Sequence, residues 1–298
     1  MNKIFVIGSI NIDITVSGKR LPERGETVKA DKFYIYPGGK GANQAISAGR
    51  CGAKTELVGK IGRDYFGDII NSYLKKENID LSLKYGKQTG MAFINVDNHG
   101  KNMITVYPGS NNELDYNDFN YIKMENSIIM FQQEIPLKTI EDTIKNTINN
   151  NNIIITDPSP FIKNEFILKN SDFLTPNEKE AELLSNVNIN SIEDAKKASK
   201  IIHEKYKNNV IIKLGSGGSL INYNGEIVHY KPHKINAVDT TGAGDCFNGT
   251  FAAKYIETGD IDKSMEFANT AAALSTLSYG AFPSFPYIND VLNAIGRN

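Results

Sequence analysis

The segment over residues 239–245, DTTGAGD, combines an acidic side chain with small residues that lead into a helix-forming run. Backbone N–H groups at a helix start converge on one point and attract anions, and the helix dipole strengthens that attraction. Asp245 would repel a ligand that was only a phosphate. It fits a base that takes the proton of a hydroxyl attacking a phosphoryl group, whose developing charge the N–H groups stabilise. The alternative is an ordinary loop in which Asp245 caps the helix.

A second glycine cluster, PGGKGANQ over residues 37–44, precedes an alanine-rich helix predicted over residues 42–50. Its glycines allow a ligand to approach the backbone closely, and Lys40 and Asn43 can donate hydrogen bonds to hydroxyl groups. The Walker A pattern is missing because Lys40 is followed by Gly41 rather than by Ser or Thr. The dinucleotide-binding pattern also fails, because it requires a third glycine. Both common nucleotide-binding motifs are therefore absent from the sequence.

Asn11 and Asp13 follow the first predicted strand and stand two residues apart in an extended segment, so both side chains face the same way. Such a pair could bind two adjacent hydroxyls of a polyol, and a solvated turn is the alternative. Asn177 and Glu180 open a helix after another strand, at the sheet edge where open α/β sheets bind ligands. Glu180 could hold Mg²⁺ through water. The alternative is an Asn cap with a Glu that complements the helix dipole.

Short β-branched runs alternate with helical patterns and predict strands over residues 4–7, 153–156, 173–175 and 210–214. This alternation indicates a doubly wound, mostly parallel α/β sheet flanked by helices. Residues 10–38 and 88–108 are strand-like with no helix between the strands of each segment, and the second segment has a turn at residues 97–100. We expect these two insertions to form a small β-sheet lid on a single domain that spans residues 1–298. Residues 219–230, around an Asn-Gly turn, predict a hairpin at the edge of the main sheet.

The composition excludes several classes of function. The 298 residues contain 33 Lys and Arg against 34 Asp and Glu, a formal net charge of −1. Without a basic stripe or a polybasic run, binding to nucleic acid or to a membrane surface is not expected. No apolar run approaches the roughly 18 residues of a membrane span, and the first one passes at once into Gly8 and Ser9 rather than resembling a signal peptide. Cys51 and Cys246 have neither metal-binding nor redox spacing, which predicts a cytoplasmic protein.

Five motifs occur along the chain in a recognisable order. They are GSINID at residues 8–13, PGGKGANQA at 37–45, TPNEKEAE at 175–182, KLGSGG at 213–218 and AVDTTGAGDCFNG at 237–249. In this combination the chain resembles the ribokinase-like (PfkB-type) carbohydrate kinase family over essentially its whole length. The resemblance implies a transferase that moves the γ-phosphoryl group of ATP to a sugar hydroxyl. It also implies a β-lid over the α/β sheet, which often forms the contact of a homodimer, and a small β-layer with exposed edges favours such a partner.

The resemblance also assigns roles to residues by their position in the motifs. Asp245 becomes the base, and Gly242, Ala243 and Gly244 form the anion hole. The residues implied to hold the sugar are Asn11, Asp13, Gly39, Lys40, Gly41, Asn43 and Glu134, with Ala92 and Ile94 of the lid closing over it. Those implied to contact ATP are Asn177, Lys213, Gly215, Ser216, Gly218, Gly244 and Asn269. Glu180 would help organise Mg²⁺, and the positions implied for an activating K⁺ are Asp239, Thr241, Ser275, Ser278, Gly280 and Ser284.

Within the family, the pair of GSINID and GGKGANQA, together with Glu134, most resembles the members that act on ribose, and this resemblance implies ribose phosphorylated at O5 as the substrate. Fructose, 2-keto-3-deoxygluconate and nucleosides are alternatives within the family, and Phe93 or Tyr107 could serve the larger pocket of a nucleoside kinase. A catalytically silent sugar- or nucleotide-binding regulator is the alternative from another class, although Asp245 argues against it. Two features depart from the family pattern: residues 156–160, TDPSP, replace a common Asn-Pro-Ala-Pro, and Ser275 and Ser278 differ from common cation-site residues.

Overall fold

Two β-sheets organise the part of the chain that the computed structural model describes, residues 1–99 and 101–296. Gly100, which we predicted to lie in a turn, is outside the described residues. The strands are β1 (Ile4–Ile7), β2 (Asn11–Ser17), β3 (Lys32–Gly38), β4 (Thr55–Gly62), β5 (Asp80–Gly86), β6 (Gly90–Val96), β7 (Asn102–Tyr107), β8 (Ile128–Gln132), β9 (Ile153–Asp157), β10 (Phe173–Leu174), β11 (Asn209–Lys213), β12 (Ser219–Tyr223) and β13 (Glu226–Tyr230). The helices are α1 (Lys40–Arg50), α2 (Tyr65–Leu74), α3 (Leu137–Thr147), α4 (Glu165–Lys169), α5 (Glu178–Ser185), α6 (Ile192–Tyr206), α7 (Ala243–Thr258), α8 (Ile261–Ser275) and α9 (Ile288–Ile295).

The larger sheet has the strand order β13-β12-β11-β10-β9-β8-β1-β4-β5. Its neighbours from β11 to β5 run parallel, and the antiparallel hairpin of β12 and β13 extends one edge, as predicted. The chain leaves β1 toward β4 on one side and returns through β8 on the other, so the strand order reverses between β1 and β8. Open α/β sheets bind ligands beside such a reversal, at the carboxyl ends of the strands. The predicted doubly wound, mostly parallel α/β fold is confirmed.

The side chains of β1 show why this sheet is buried on both faces. Ile4 and Val6 pack into the cluster that contains α1 and α7, whereas Phe5 and Ile7 pack on the opposite face with Ile140 of α3. Alternate residues of a strand point to opposite faces, and a parallel sheet is covered by helices on both, so every residue of β1 is apolar. The loops at the ends of the strands are therefore the part of the sheet that ligands can reach.

Helix α1 begins at Lys40, earlier than the predicted residue 42. Gly39, with φ of 90°, ends the incoming strand, and Gly41 lies inside the helix. A Cβ at Gly41 would lie 2.6 Å from the carbonyl carbon of Gly8, so only glycine allows the first turn of α1 to rest on the end of β1. Among the described residues, every helix is too short or too polar to cross a membrane.

The smaller sheet has the strand order β3-β2-β6-β7 and comes from the two predicted insertions. Strand β2 pairs in parallel with β6, which places Asp13 beside Ala92 on the same face. Ala92 and Ile94 are buried on that face. Strand β7, by contrast, is exposed along its whole length. The sheet thus has one end against the body of the protein and one end free of it.

Candidate active site

The carboxyl ends of β8, β9 and β11 meet the first turns of α1 and α7 at one edge of the larger sheet. Gln132, Asp157 and Lys213 are the last residues of these strands, and each has a hydrogen bond to a side chain at this edge. Buried polar side chains are stable only when they are hydrogen-bonded. The polar network at this edge is enclosed by apolar strands and helices, which indicates a binding or catalytic site.

Asp245 lies in the first turn of α7 and is buried. Its Oδ2 accepts a hydrogen bond of 3.0 Å from Asn43 Nδ2, and its Oδ1 accepts one of 3.1 Å from Gln44 Nε2. Gly242 is the N-cap residue of α7, and no side chain caps the helix. Asp245 thus faces α1 rather than capping its own helix, which sets aside the alternative of a simple helix cap.

Close packing of α1 against α7 makes these two hydrogen bonds possible. Gly249 is the contact point, because a Cβ at this residue would lie 1.9 Å from Ser47 Oγ and 2.2 Å from the carbonyl oxygen of Gln44. Any larger residue would push the two helices apart. The motif over residues 37–45 and the motif over residues 237–249 are therefore held together at Gly249, the last residue of the second motif.

The turn before α7 carries the predicted anion hole. Gly242 has φ of 75°, and a Cβ there would lie 2.8 Å from Ala281 Cβ. The N–H of Ala243 donates to the carbonyl oxygen of Thr240 at 3.2 Å. Within the described residues, the N–H groups of Gly242 and Gly244 make no protein hydrogen bond. Two of the three predicted donors are thus available to an anion at a positive helix end.

A cavity of about 800 Å³ opens beside Asp245. Its lining includes the charged residues Lys40 and Asp245 and the apolar residues Ile235 and Ala272. The residues predicted to contact ATP all line this one cavity: Asn177, Lys213, Gly215, Ser216, Gly218, Gly244 and Asn269. These residues come from five separate elements, and the cavity has the size of a small-molecule site.

The predicted sugar-binding residues lie on the other side of Asp245. Asn11 is buried, and its Oδ1 accepts a hydrogen bond of 2.7 Å from Asn111 Nδ2. Glu134 Oε2 accepts from Ser9 Oγ at 2.5 Å and lies 3.5 Å from the backbone nitrogen of Lys40. Of the remaining predicted members, Asp13 pairs with Ala92 across the small sheet, and Ile94 lies two residues further along β6. Gly39 and Gly41 flank Lys40 at the start of α1, and Asn43 donates to Asp245.

Carboxylates determine the electrostatics of this side. Burial is the main cause that raises the pKa of Asp13 to about 7, and the charges of Glu134 and Asp245 add to it. Burial also raises the pKa of Glu134, although Lys40 and the Ser9 hydroxyl oppose it. For Lys40, burial acts to lower the pKa, but the surrounding carboxylates outweigh it and raise the pKa above its usual value. Lys40 therefore remains a cation within an acidic pocket.

Asn177 and Glu180 form a capping box at the start of α5. Glu180 N donates to Asn177 Oδ1 at 2.9 Å, and Asn177 N donates to Glu180 Oε2 at 2.8 Å. Within the chain, the two residues thus cap the helix, as the alternative interpretation of the sequence predicted. Both residues also line the cavity. Burial, followed by the charge of Asp157, raises the pKa of Glu180, and Lys213 opposes that rise.

Two loops meet where the cation was predicted. Asp239 Oδ1 accepts hydrogen bonds from Thr241 N at 2.9 Å and Thr241 Oγ1 at 2.7 Å, and its Oδ2 accepts from Gly280 N at 2.9 Å. The hydroxyls of Ser275 and Ser284 donate to carbonyl oxygens of their own turns, and Ser278 is exposed. Within residues 1–99 and 101–296, no three His, Cys, Asp or Glu side chains cluster in a way that could hold a metal ion.

Sequence reasoning missed several residues of the network. Gln44 stands inside the PGGKGANQA motif beside Asn43, so its place in the motif was an available signal. Asp157 lies in the segment that departs from the family pattern, which was also a signal. Ser9 stands inside the GSINID motif, which was likewise a signal, whereas Asn111 and Gln132 gave none, because each reaches the site through a contact between distant parts of the chain.

Comparison with known proteins agrees with this geometry. The model of the pfkB family carbohydrate kinases matches residues 1–287, so the chain belongs to that family. The protein is therefore a phosphotransferase that acts on a sugar hydroxyl, and the resemblance noted in the sequence is confirmed.

The individual relatives include kinases of ribose and of deoxyribose. The chain is 33% identical to a ribokinase of Haemophilus influenzae, with 96% of each chain covered. It is 31% identical to a deoxyribokinase of Salmonella typhimurium, with 99% of each chain covered. Among solved structures, an Arabidopsis thaliana ribokinase complexed with ribose and ATP superimposes with a TM-score of 0.85, at 29% identity, covering 98% of this chain and 97% of that one.

Proposed function

We propose that the protein transfers the γ-phosphoryl group of ATP to O5 of D-ribose and so forms D-ribose 5-phosphate and ADP. The position of Asp245 carries this proposal, because its carboxylate lies between the sugar-side residue Asn43 and the nucleotide cavity. The named relatives support ribose and ATP as the pair of substrates. ATP metabolism also favours a cytoplasmic location.

In the proposed mechanism, Asp245 accepts the proton of the sugar hydroxyl as its oxygen attacks the γ-phosphorus. The bond between that phosphorus and the β,γ-bridging oxygen breaks, and ADP leaves. Negative charge on the transferred group is met by the N–H groups of Gly242 and Gly244 at the positive end of α7. Positioning and electrostatic stabilisation supply most of the catalysis in phosphoryl transfer, which fits a site of fixed N–H donors.

The sugar is held from three directions. Asn11 and Asp13 on β2 face one side of it, and Lys40 and Asn43 donate from the first turn of α1. Glu134 accepts from another hydroxyl. Gly39 and Gly41 leave room for close approach, and Ala92 and Ile94 exclude water as the small sheet closes over the ligand. The ATP-binding roles follow the cavity: Asn177, Lys213, Gly215, Ser216 and Gly218 toward the phosphates and ribosyl group, Asn269 toward the base.

Glu180 fits a role in binding Mg²⁺ through water. It is buried, lines the cavity and lies near Asp157, so carboxylate oxygens collect where a polyphosphate would enter. Lys40 and Lys213 bring two ammonium groups to the site. They cannot neutralise both the negative charge of these carboxylates and that of the ATP phosphates. Bound Mg²⁺ would neutralise phosphate charge. Exchange of Glu180 for Gln should weaken Mg²⁺-dependent binding of ADP, measured by calorimetry with and without Mg²⁺.

The loops that contain Asp239 and Gly280 fit the proposed K⁺ site, with Thr241, Ser275, Ser278 and Ser284 around it. Asp239 ties the two loops together, and Ala281 of the second loop contacts Gly242. Bound K⁺ would thus fix the turn that carries the anion hole. Addition of K⁺ should raise both the thermal midpoint and kcat, and Li⁺ should do neither. If the thermal midpoint and kcat are equal in the two salts, the cation site is not present.

We also propose that the small sheet forms the contact of a homodimer. On the face that bears Asp13, the apolar side chains of Ile104 and Val106 are 53% and 46% exposed. An exposed apolar face on a short sheet with free edges favours a second copy.

One of the relatives favours a second candidate substrate. The match to a deoxyribokinase is nearly as strong as that to a ribokinase, so 2-deoxyribose is the alternative acceptor. The test is a coupled ADP-release assay with ribose, deoxyribose, fructose, 2-keto-3-deoxygluconate, adenosine and other nucleosides. Ribose should give the highest kcat/KM. A higher value for deoxyribose or a nucleoside would move the assignment to that substrate, and no turnover on any of them would favour a binding-only regulator.

A further inference from the structure

Lys213 lies where the nucleotide cavity meets the first turn of α7. It ends β11, and its side chain is 13% exposed. A Cβ placed on Gly244 would lie 3.7 Å from Lys213 Nζ, so the ammonium group lies against the turn that carries the anion hole. Lys179 and Lys234 also line the cavity, but both are exposed. Lys40 lines the cavity as well, but it lies in the first turn of α1 among the predicted sugar-binding residues, so within the described part of the chain Lys213 is the enclosed ammonium group on the phosphate side of Asp245.

A hydrogen-bonded chain connects Lys213 to Asp245. Lys213 Nζ is 3.2 Å from Asp157 Oδ1, and Asp157 Oδ2 accepts a hydrogen bond of 3.1 Å from Gln44 Nε2. The same Gln44 nitrogen donates to Asp245 Oδ1 at 3.1 Å. We call these four residues, Lys213, Asp157, Gln44 and Asp245, the base-to-ammonium chain.

Gln132 fixes the orientation of this chain. Its Nε2 donates to Gln44 Oε1 at 2.7 Å, so the Gln44 amide must present its two N–H donors to the two carboxylates. An ionised carboxylate can only accept hydrogen bonds. The Gln44 nitrogen lies between the carboxylates of Asp157 and Asp245 and donates one hydrogen bond to each. The chain therefore sets the distance between the carboxylate of Asp245 and the ammonium group of Lys213.

We propose that Lys213 is a catalytic residue whose ammonium group contacts the γ-phosphoryl group during transfer, and that Asp157 and Gln44 are positioning residues. This rests on the function proposed above. The oxygen–phosphorus bond to the sugar forms, the bond to the β,γ-bridging oxygen breaks, and the hydroxyl proton passes to Asp245. Lys213 keeps its protons and stabilises charge on the transferred oxygens. The competing role for Lys213 is structural, in which it only neutralises the buried carboxylate of Asp157.

Two single variants and their combination separate these roles. Lys213→Met should lower kcat by a factor on the order of 10² while the KM for the sugar changes less than about threefold. It should also lower the thermal midpoint, because Asp157 is left buried without a cation. Lys213→Met combined with Asp157→Asn removes that unpaired charge and should recover the thermal midpoint but not kcat. Recovery of kcat in the double variant would overturn the proposal.

Binding measurements supply a second test that does not depend on turnover. Lys213→Met should weaken a complex of ADP, aluminium fluoride and sugar, which imitates the transferred group, far more than it weakens ADP alone. Equal losses for the two ligands would mean that Lys213 only binds nucleotide. Gln44→Met should lower kcat about tenfold with the ADP dissociation constant unchanged, and Lys213→Arg should keep more activity than Lys213→Met.

These outcomes are separable from failure of the proposed function. The wild-type protein is first assayed for ribose phosphorylation, and the sugar with the highest turnover is used for all variants. If the wild type phosphorylates no sugar, the proposed function fails. The thermal midpoints and the ADP affinities still show whether Lys213 and Asp157 act as a pair.

Discussion

The two sides of the candidate site differ in the polar groups that they present to a ligand. On the sugar side, side chains dominate: Asn11, Asp13 and Glu134 surround the space with amide and carboxylate oxygens. On the proposed phosphate side, the backbone N–H groups of Gly242 and Gly244 at the start of α7 make no hydrogen bond within the described residues, and Lys213 adds an ammonium group. Hydroxyls need acceptors as well as donors, whereas phosphates need only donors. The chemistry of each ligand thus explains the composition of each side.

The difference also explains the net charge of −1. A protein that bound phosphates through a general positive field would need an excess of Lys and Arg. Here the donors on the phosphate side are mainly neutral N–H groups, assisted by Lys213, so no such excess is required. The phosphates would be recognised by donors within hydrogen-bond distance. The carboxylates of the sugar side can therefore lie close to the phosphate side.

The largest effect is expected at Asp245, where the two sides meet. Asp245→Asn should lower kcat by a factor on the order of 10² to 10⁴, because a positioned base is lost, while sugar affinity changes little. Steady-state kinetics with ribose and ATP measure both. Asp68→Asn is a matched control, since Asp68 is an exposed carboxylate in the first turn of another helix, α2. Turnover near that of the wild type in Asp245→Asn would remove Asp245 from the mechanism.

Two asparagines test whether the sides are independent. Asn43→Ala should raise the KM for sugar about tenfold, because loss of a buried hydrogen bond usually costs about that factor in affinity. The KM for ATP should rise much less. Asn269→Ala, on the nucleotide side, should raise the KM for ATP and leave that for sugar unchanged. Because Asn43 also donates to Asp245, its loss should lower kcat modestly as well. Equal effects on both substrates would mean that residues 37–44 are not the sugar-binding loop.

Local motifs account for how well the sequence predicted the two sides. Strand β1 follows from a short apolar run, whereas the members of the nucleotide cavity were assigned by the resemblance of their motifs to those of a family. Boundaries were less accurate, because β10 contains only Phe173–Leu174 and α1 begins at Lys40. The sequence offered signals for Gln44 and Asp157 separately, but the hydrogen bond between them was not predictable, since the two residues are 113 residues apart and nothing in either segment specifies the other.

The pH dependence should distinguish the sugar side from the phosphate side. The pKa of Asp13 is raised to about 7, so its carboxylate is ionised above pH 7 and protonated below. An ionised Asp13 accepts hydrogen bonds from sugar hydroxyls, and kcat/KM for sugar should therefore fall up to tenfold per pH unit below 7. Asp13→Asn should remove this dependence while lowering the plateau. The KM for ATP, measured over the same range, serves as the internal control.

Asp13 also makes a prediction about stability. A carboxyl group with a raised pKa binds a proton in the folded state more tightly than in the unfolded state, so stability falls as the pH rises from about 4 to about 7. Asp13→Asn should therefore stabilise the ligand-free protein at pH 8 by on the order of 1 kcal/mol. At pH 4 the gain should vanish. A gain that is equal at both pH values would mean that Asp13 is not desolvated.

The smallest catalytic effect is expected far from both sides, on the exposed part of the small sheet. Ile104→Asp should shift the protein from dimer to monomer in analytical ultracentrifugation, because a charge replaces an apolar side chain of the proposed contact. Thr105→Asp is the matched control, since Thr105 is the next residue along β7 and faces the opposite side of the sheet. If the small sheet needs its partner to stay closed over the sugar, Ile104→Asp should raise the KM for sugar a few-fold while kcat and the KM for ATP stay unchanged. Loss of the dimer in Thr105→Asp alone would place the contact on the other face, and the sugar side would then be complete within one chain.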